Sequence, residues 1–233
     1  MVYGFFMTMG LYLFALFFGL ILAIIFSIVR HYGGAISSRI ATAYIEFFRG
    51  TPLLVQILAV VYLPNALNAW LTTQGIPPID FNWQFVVQDP WGVQRIVFSG
   101  RILLCAITLG LNSAAYQAEY FRGAMGSISS GQPLAATSIG MTKWQGIRHV
   151  MLPQSLRRAI PAWSNEAVYL PKYTTVCYFV GVEDLFAMAK LISTRTYQVL
   201  PVYALIAIIF LVLISFISWL LNYIYSRVKI PGI

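Results

Sequence analysis

Apolar residues in this chain fall into five long runs separated by shorter polar stretches. A bilayer core is crossed by about 20 consecutive apolar residues, and each run approaches or exceeds that length. They predict spans near Phe6–Val29, Ile40–Leu63, Ile96–Tyr120, Ala159–Val180 and Val199–Tyr223. Between them lie a short basic loop, Arg30–Arg39, a polar connector, Pro64–Gln94, a long polar segment over about 123–158, and a second connector, Val182–Gln198.

Within the long segment, Gly131–Pro153 keeps helical signals. Pro133 stands where a first turn could begin and Gly140 where a short helix could stop, the usual asymmetry of a helix's two ends. Thr142 with Gln145 three residues on fits a capping box, so a second helix should start there. Pro153 should limit it. The pattern predicts two short helices joined at Gly140.

Composition narrows the class. The chain is 59% apolar and 9% charged, with mean hydropathy +0.76, whereas soluble domains carry about 25% charged residues. It reads as one all-α integral membrane domain over residues 1–233. The net charge of +8 comes from bases beside the spans, which removes nucleic acid as a partner. Loops and tail on one side hold nine: Arg30, Arg39, Arg122, Lys143, Arg148, Arg157, Arg158, Arg227 and Lys229. The other side holds three: Arg95, Lys190 and Arg195. The richer side should be cytoplasmic, giving five transmembrane helices, N-out and C-in. Trp70, Trp83 and Trp91 then suit an outer interfacial belt. The first run reaches Val29 with no base before it, too long for a signal sequence and read as a retained span.

Candidate chemistry lies where polar groups interrupt the spans, because such groups are costly in lipid. Glu46 and Arg49 are three apart and predicted to pair. Pro52 should kink or break its helix, and Arg49, Pro52 and Gln56 share a stripe. Asn112, Tyr116 and Glu119 line one face of the third span. Asn165, Tyr169 and Lys172 form a stripe on the fourth, which also carries Glu166 without a helix-neighbour base. The candidate pathway is therefore Arg49, Gln56, Asn112, Tyr116, Glu119, Asn165, Glu166 and Lys172. Cys105 and Cys177 fall inside spans as buried thiols. The two histidines, His31 and His149, are far apart, so no metal or cofactor is expected.

Several of these runs resemble the permease subunits of ABC importers. Ala135, Ala136, Gly140, Val150, Leu152 and Pro153 stand at the spacing of that family's coupling loop, with Leu134 where the family has Glu. Arg49-Gly50-Thr51-Pro52-Leu53-Leu54-Val55-Gln56, Asn112-Ser113-Ala114-Ala115-Tyr116…Glu119…Arg122-Gly123 and Asn165-Glu166…Lys172…Thr174-Thr175 are similar to the polar amino acid branch, which has the type I fold. The resemblance implies ATPase contacts at Leu134, Ala135, Ala136, Gly140, Met141 and Trp144. It also implies separate cytoplasmic ATPase subunits, an extracytoplasmic amino-acid-binding protein and a second permease copy or sister permease in the cell membrane. ATP hydrolysis would not occur on this chain, which has no Gly-x4-Gly-Lys-Ser/Thr loop.

Two other classes compete. A secondary transporter or channel subunit would use the intramembrane charges but gives the Gly131–Pro153 pattern no role. A membrane enzyme would need a catalytic cluster that the sequence does not supply. If Arg49 neutralises Glu46, then Glu119 and Glu166 face Lys172 with one acid in surplus. That arrangement points to a polar or basic amino acid, with Glu166 as a contact for its ammonium group.

Overall fold

The computed structural model describes residues 1–80, 83–89 and 92–228. Among them the helices are α1 (Val2–Tyr32), α2 (Ala35–Gly50), α3 (Leu53–Thr73), α4 (Gly100–Gly126), α5 (Gly131–Ser138), α6 (Lys143–Gly146), α7 (Leu152–Tyr173), α8 (Leu185–Thr196) and α9 (Val199–Val228). A π-helical turn, Ile147–Met151, joins α6 to α7, and a 3-10 segment, Thr174–Val180, follows α7. By length and apolarity α1, α3 and α9 can each cross a membrane. At 1.5 Å per residue, α4 and α7 are about 40 and 33 Å long, which matches a bilayer core, but both carry polar groups.

The fold is built around α4. More than half of its residues are buried, and α1 packs along it through small side chains. A Cβ on Gly19 would come 2.8 Å from Gln117 Nε2 and 3.1 Å from the Gly110 carbonyl. The helices approach this closely because glycine leaves room for the opposing backbone. The main core joins Leu11, Ala15, Leu109, Ala167 and Leu170, all buried. By contrast, α9 buries only Val202, Ile206 and Ile217. Its remaining apolar surface is what a lipid-facing helix presents.

Three expectations change. First, the region is not all-helical between the second and third spans. The segment read as a polar connector contains the end of α3, which runs through Pro64, and the first strand of an antiparallel hairpin, β1 (Gln84–Gln88); its partner β2 (Gln94–Ser99) takes the predicted start of the third span, so that α4 begins at Gly100 rather than Ile96. A bulge between Phe85 and Val86 shifts its register. Asp89 organises the turn by accepting from the Val93 amide at 2.8 Å. Trp91 lies outside the described residues, as does Lys229 from the base count. Second, Pro153 does not end the helix that starts at Thr142. It sits in the first turn of α7, and α6, the π turn and α7 run on without a break. Pro153 has no N–H to donate back along this continuous helix, and the wide π turn before it absorbs the mismatch. Third, the connector after the fourth span holds α8, capped where the Asp184 carboxylate accepts from the Ala187 amide at 2.8 Å.

Two ends of the molecule follow. Tyr3 donates to the Ile96 carbonyl, and Thr8 Oγ1 accepts from the Leu185 amide at 3.1 Å. The start of α1, the hairpin and α8 therefore share one end. Lys143 donates to the Tyr32 carbonyl at 2.8 Å, which places the α5–α6 loop at the other.

Replacing Gly19 by Val should destabilise the protein by about 1–3 kcal/mol, the range for overpacking. Thermal unfolding of the purified protein in detergent checks it, and an unchanged midpoint would mean that α1 and α4 can separate without loss.

Candidate functional site

The chain between α2 and α3 leaves helical geometry at Thr51 (φ −115°, ψ 145°) and Pro52 (φ −63°, ψ 131°). Pro52 has no N–H and disfavours helical backbone before it, so the span is broken rather than kinked. A break at membrane depth strands carbonyls that must find donors in protein. Gln56 supplies them: its Nε2 donates to the Phe48 carbonyl at 2.9 Å and to the Thr51 carbonyl and hydroxyl at 3.0 and 2.7 Å. Asn112 Nδ2, from α4, donates to the Phe48 carbonyl and to Gln56 Oε1, both at 3.0 Å. Gln56 and Asn112 are both buried and spend their donors on the break.

Below the break lies a charge hub. Glu119 accepts from Arg30 Nη1 at 2.6 Å and from Arg122 through two nitrogens, and Arg49 Nη1 stands 4.0 Å away. Glu46 pairs with Arg30 at 3.6 Å. The expected Glu46–Arg49 pair is thus replaced. Arg30 is not in a loop, because α1 continues to Tyr32 and carries it to both acids. Glu119, facing three guanidiniums, is no surplus acid. Arg49 also lies over the Tyr116 ring, 5.6 Å from its centre.

Glu166 is buried at 3% exposure and accepts from Ser113 Oγ at 2.7 Å. Ser113 in turn accepts from Gln117 Nε2 at 3.0 Å, and Trp163 donates to Gln117 Oε1 at 2.7 Å. This chain ties α7 to α4. Sequence reasoning missed Ser113, Gln117 and Trp163, although a signal was there. Ser113 and Gln117 are four apart on α4, and Trp163 lies one turn before Glu166, so each pair shares a face.

Asn165, Tyr169 and Lys172 remain on an exposed face of α7, with the Lys172 ammonium 4.2 Å from the centre of the Tyr169 ring. The candidate residues therefore divide. Gln56 and Asn112 hold the break, Glu119 anchors the hub, Glu166 joins two helices, and Arg49, Tyr116, Asn165 and Lys172 are the polar groups with surface to offer.

In the α5–α6 loop the expected geometry is present. Gly140 has φ +84°, and the Gly140 and Met141 amides donate to the carbonyls of Thr137 and Ala136 at 2.9 and 3.1 Å. That is a Schellman end, which favours glycine at this position. Thr142 and Gln145 form the capping box. Ala136 is buried against Gly146, whose missing Cβ would sit 3.4 Å away. Leu134, Ile139 and Trp144 are exposed, at 69%, 74% and 59%, while Met141 is half-buried and Ala135 open. Three large apolar side chains on a loop tip suit contact with a protein partner.

A broken span, polar groups gathered inside a helical membrane domain and an apolar loop tip at one end are the features of a transport subunit. Residues 15–230 match the family model for the binding-protein-dependent transport system inner membrane component, and the chain belongs to that family, the permeases of ABC importers. It is 33% identical over 221 residues to the probable amino-acid permease protein YxeN of Bacillus subtilis, covering 95% of this chain and 82% of that one. It is 28% identical to the glutamine transport system permease protein GlnP of Escherichia coli, with 96% and 90% covered. A crystal structure of an amino acid ABC transporter with histidines superposes with TM-score 0.74 at 28% identity, covering 97% of this chain and 92% of that one.

Replacing Gln56 by Leu keeps the volume but removes the donors from the break. It should lower stability by about 1–3 kcal/mol, the range for orphaned buried polar groups. Pulse proteolysis of the purified protein reads this, and full retention of stability would show that the break needs no cap.

Proposed function

We propose that the chain is the membrane-crossing subunit of an ATP-driven importer of polar amino acids, working by alternating access. The spans are α1, the broken α2–α3, α4, α7 and α9, in the cell membrane with N-terminus out and C-terminus in. The base asymmetry supports this orientation. Arg101, expected inside a span, stands in the first turn of α4, so the count becomes nine to four and keeps its sign. ATP is hydrolysed on separate cytoplasmic subunits, and an extracytoplasmic binding protein delivers the substrate.

One observation carries the mechanism: α6, the π turn and α7 are continuous, so Trp144 and the polar face of α7 lie on one lever, and α5, with Leu134 and Ile139, rests on that lever through Ala136 against Gly146. When ATP draws the ATPase subunits together, the exposed Leu134, Ile139 and Trp144 move with them. The lever turns α7 and with it Asn165, Tyr169 and Lys172. Those groups are costly in lipid, which supports an aqueous path between this chain and a second permease copy or sister permease. Lys172 and Asn165 offer the substrate carboxylate a cation and an amide. The case for a basic side chain loses its premise, because Glu119 is neutralised within the hub.

Gly140→Val tests the lever. A β-branched residue is strained at positive φ by about 1–2 kcal/mol, so the loop should distort while the spans insert normally. In proteoliposomes containing the permease and its ATPase subunits, uptake should fail while ATP hydrolysis continues. Uptake at the wild-type rate would show the loop to be a passive connector.

A further inference from the structure

Bases outnumber acids at the end of the molecule that carries the α5–α6 loop. Of the nine bases counted on that side, eight (all but Lys229) are described, and they face two acids, Glu46 and Glu119. Both acids are taken up in the hub by Arg30 and Arg122. Lys143 and Arg158 spend donors on the carbonyls of Tyr32 and Ser127. Arg157 is exposed and, among the described residues, has no hydrogen-bond or ion-pair partner.

Arg157 stands in the wall of an otherwise apolar hollow of about 300 Å3. Leu20, Phe121 and Val228 reach it from α1, α4 and α9, and Leu156, Ile160 and Trp163 from α7. Among the described residues no acid lines it. At about 100° per residue, Leu156, Ile160 and Trp163 lie on the side of α7 opposite Asn165, Tyr169 and Lys172. The hollow therefore faces away from the path proposed above and toward α9, which buries only three residues. Arg157 is five residues into α7, about 8 Å from its start, and Trp163 is about 9 Å further on. The cation is thus at the loop-end mouth of a slot that runs toward the middle of the bilayer. Arg227, the residue before Val228, brings a second exposed cation to this end of α9.

We infer that this hollow seats an anionic phospholipid of the cytoplasmic leaflet, with an acyl chain in the slot and the phosphate on Arg157; the choice of leaflet rests on the orientation proposed above. Two complementarities select the occupant. Apolar walls suit an alkyl chain, and a free guanidinium at the headgroup end suits a phosphate, which it can meet with two parallel N–H donors. Basic pockets between transmembrane helices on the cytoplasmic side take anionic headgroups in this way. Arginine serves the site because its stem lies along the apolar wall while its charged end stays at the interface. An acidic side chain of a protein partner would meet the cation but leave the slot unfilled.

The test is native mass spectrometry of the full-length protein, with whatever subunits co-purify, released from micelles that hold equal amounts of phosphatidylglycerol and phosphatidylcholine. The wild type should retain phosphatidylglycerol in preference. Arg157→Gln should lower that retention about fivefold, the factor for one cation near an anionic surface, and Arg157→Lys should restore most of it. Ile160→Trp fills the slot and keeps the cation, so it should lower retention as well. Equal retention of the two lipids by the wild type, or phosphatidylglycerol retention unchanged in Arg157→Gln, overturns the seat. Displacement of the lipid by soluble glycerol 1-phosphate as readily as by added phosphatidylglycerol identifies a small-anion site and also overturns it. Unchanged lipid retention in Arg157→Gln with loss of the ATPase subunits assigns the cation to that partner instead and overturns it too. Labelling of a cysteine at Gln145 from outside intact cells overturns the orientation and the leaflet named here, whatever the lipid retention.

Discussion

In a bilayer core no water is present to take up a stranded hydrogen bond, so every polar group must be satisfied within the protein. That constraint organises the molecule. A span broken at Pro52 survives because Gln56 and Asn112 reach back to the Phe48 and Thr51 carbonyls. Glu119 survives because guanidiniums from α1, α2 and α4 converge on it. Glu166 survives because Ser113 meets it in the interior. Each solution draws on α4, which explains why a long helix that carries so many polar groups is also the most buried.

The same constraint separates scaffold from moving parts. Groups whose partners are all internal give the core a fixed register, and removing one strands its partner. The polar groups on the open face of α7 have no such internal obligations apart from the Lys172–Tyr169 contact. They sit on the helix that continues from the loop tip. In the proposed importer, a displacement at the loop end would be transmitted to the open face of α7 by this stiff element, while α1 and α4, held by close glycine contacts, would stay in place. The hub around Glu119 couples α2 to this scaffold, and Tyr44 reinforces the join by donating to the Leu111 carbonyl at 2.6 Å.

Local chemistry made much of this legible from sequence. The break at Pro52, the turn at Gly140 and the cap at Thr142 each depend on neighbouring residues alone, and all three are present. Partners contributed by distant helices were not legible. Glu46 and Arg49 look like a pair on their own helix, but the geometry of α1 brings Arg30 between them and hands Arg49 to Glu119. Glu166 looks unpaired until α4 is laid beside it. The hairpin was hidden because its strands are short and its apolar residues, such as Phe85 and Val87, are exposed rather than alternating against a core. The start of α8 was readable in principle from Asp184 before Leu185, but the segment's polar residues masked it.

The central claim is that the open face of α7 lines an aqueous path, with the hairpin end outside the cell and the loop end inside. Accessibility of introduced cysteines to an impermeant thiol reagent tests it most directly, with native Cys105 and Cys177 replaced by Ala. In intact cells a cysteine at Gln88 should react and one at Gln145 should not. In the assembled complex, cysteines at Asn165 and Tyr169 should react at rates that change when ATP is added, while one at Leu211 on α9 stays unreactive. Labelling of Gln145 from outside, or silence at Asn165 and Tyr169 in every nucleotide state, would contradict the account.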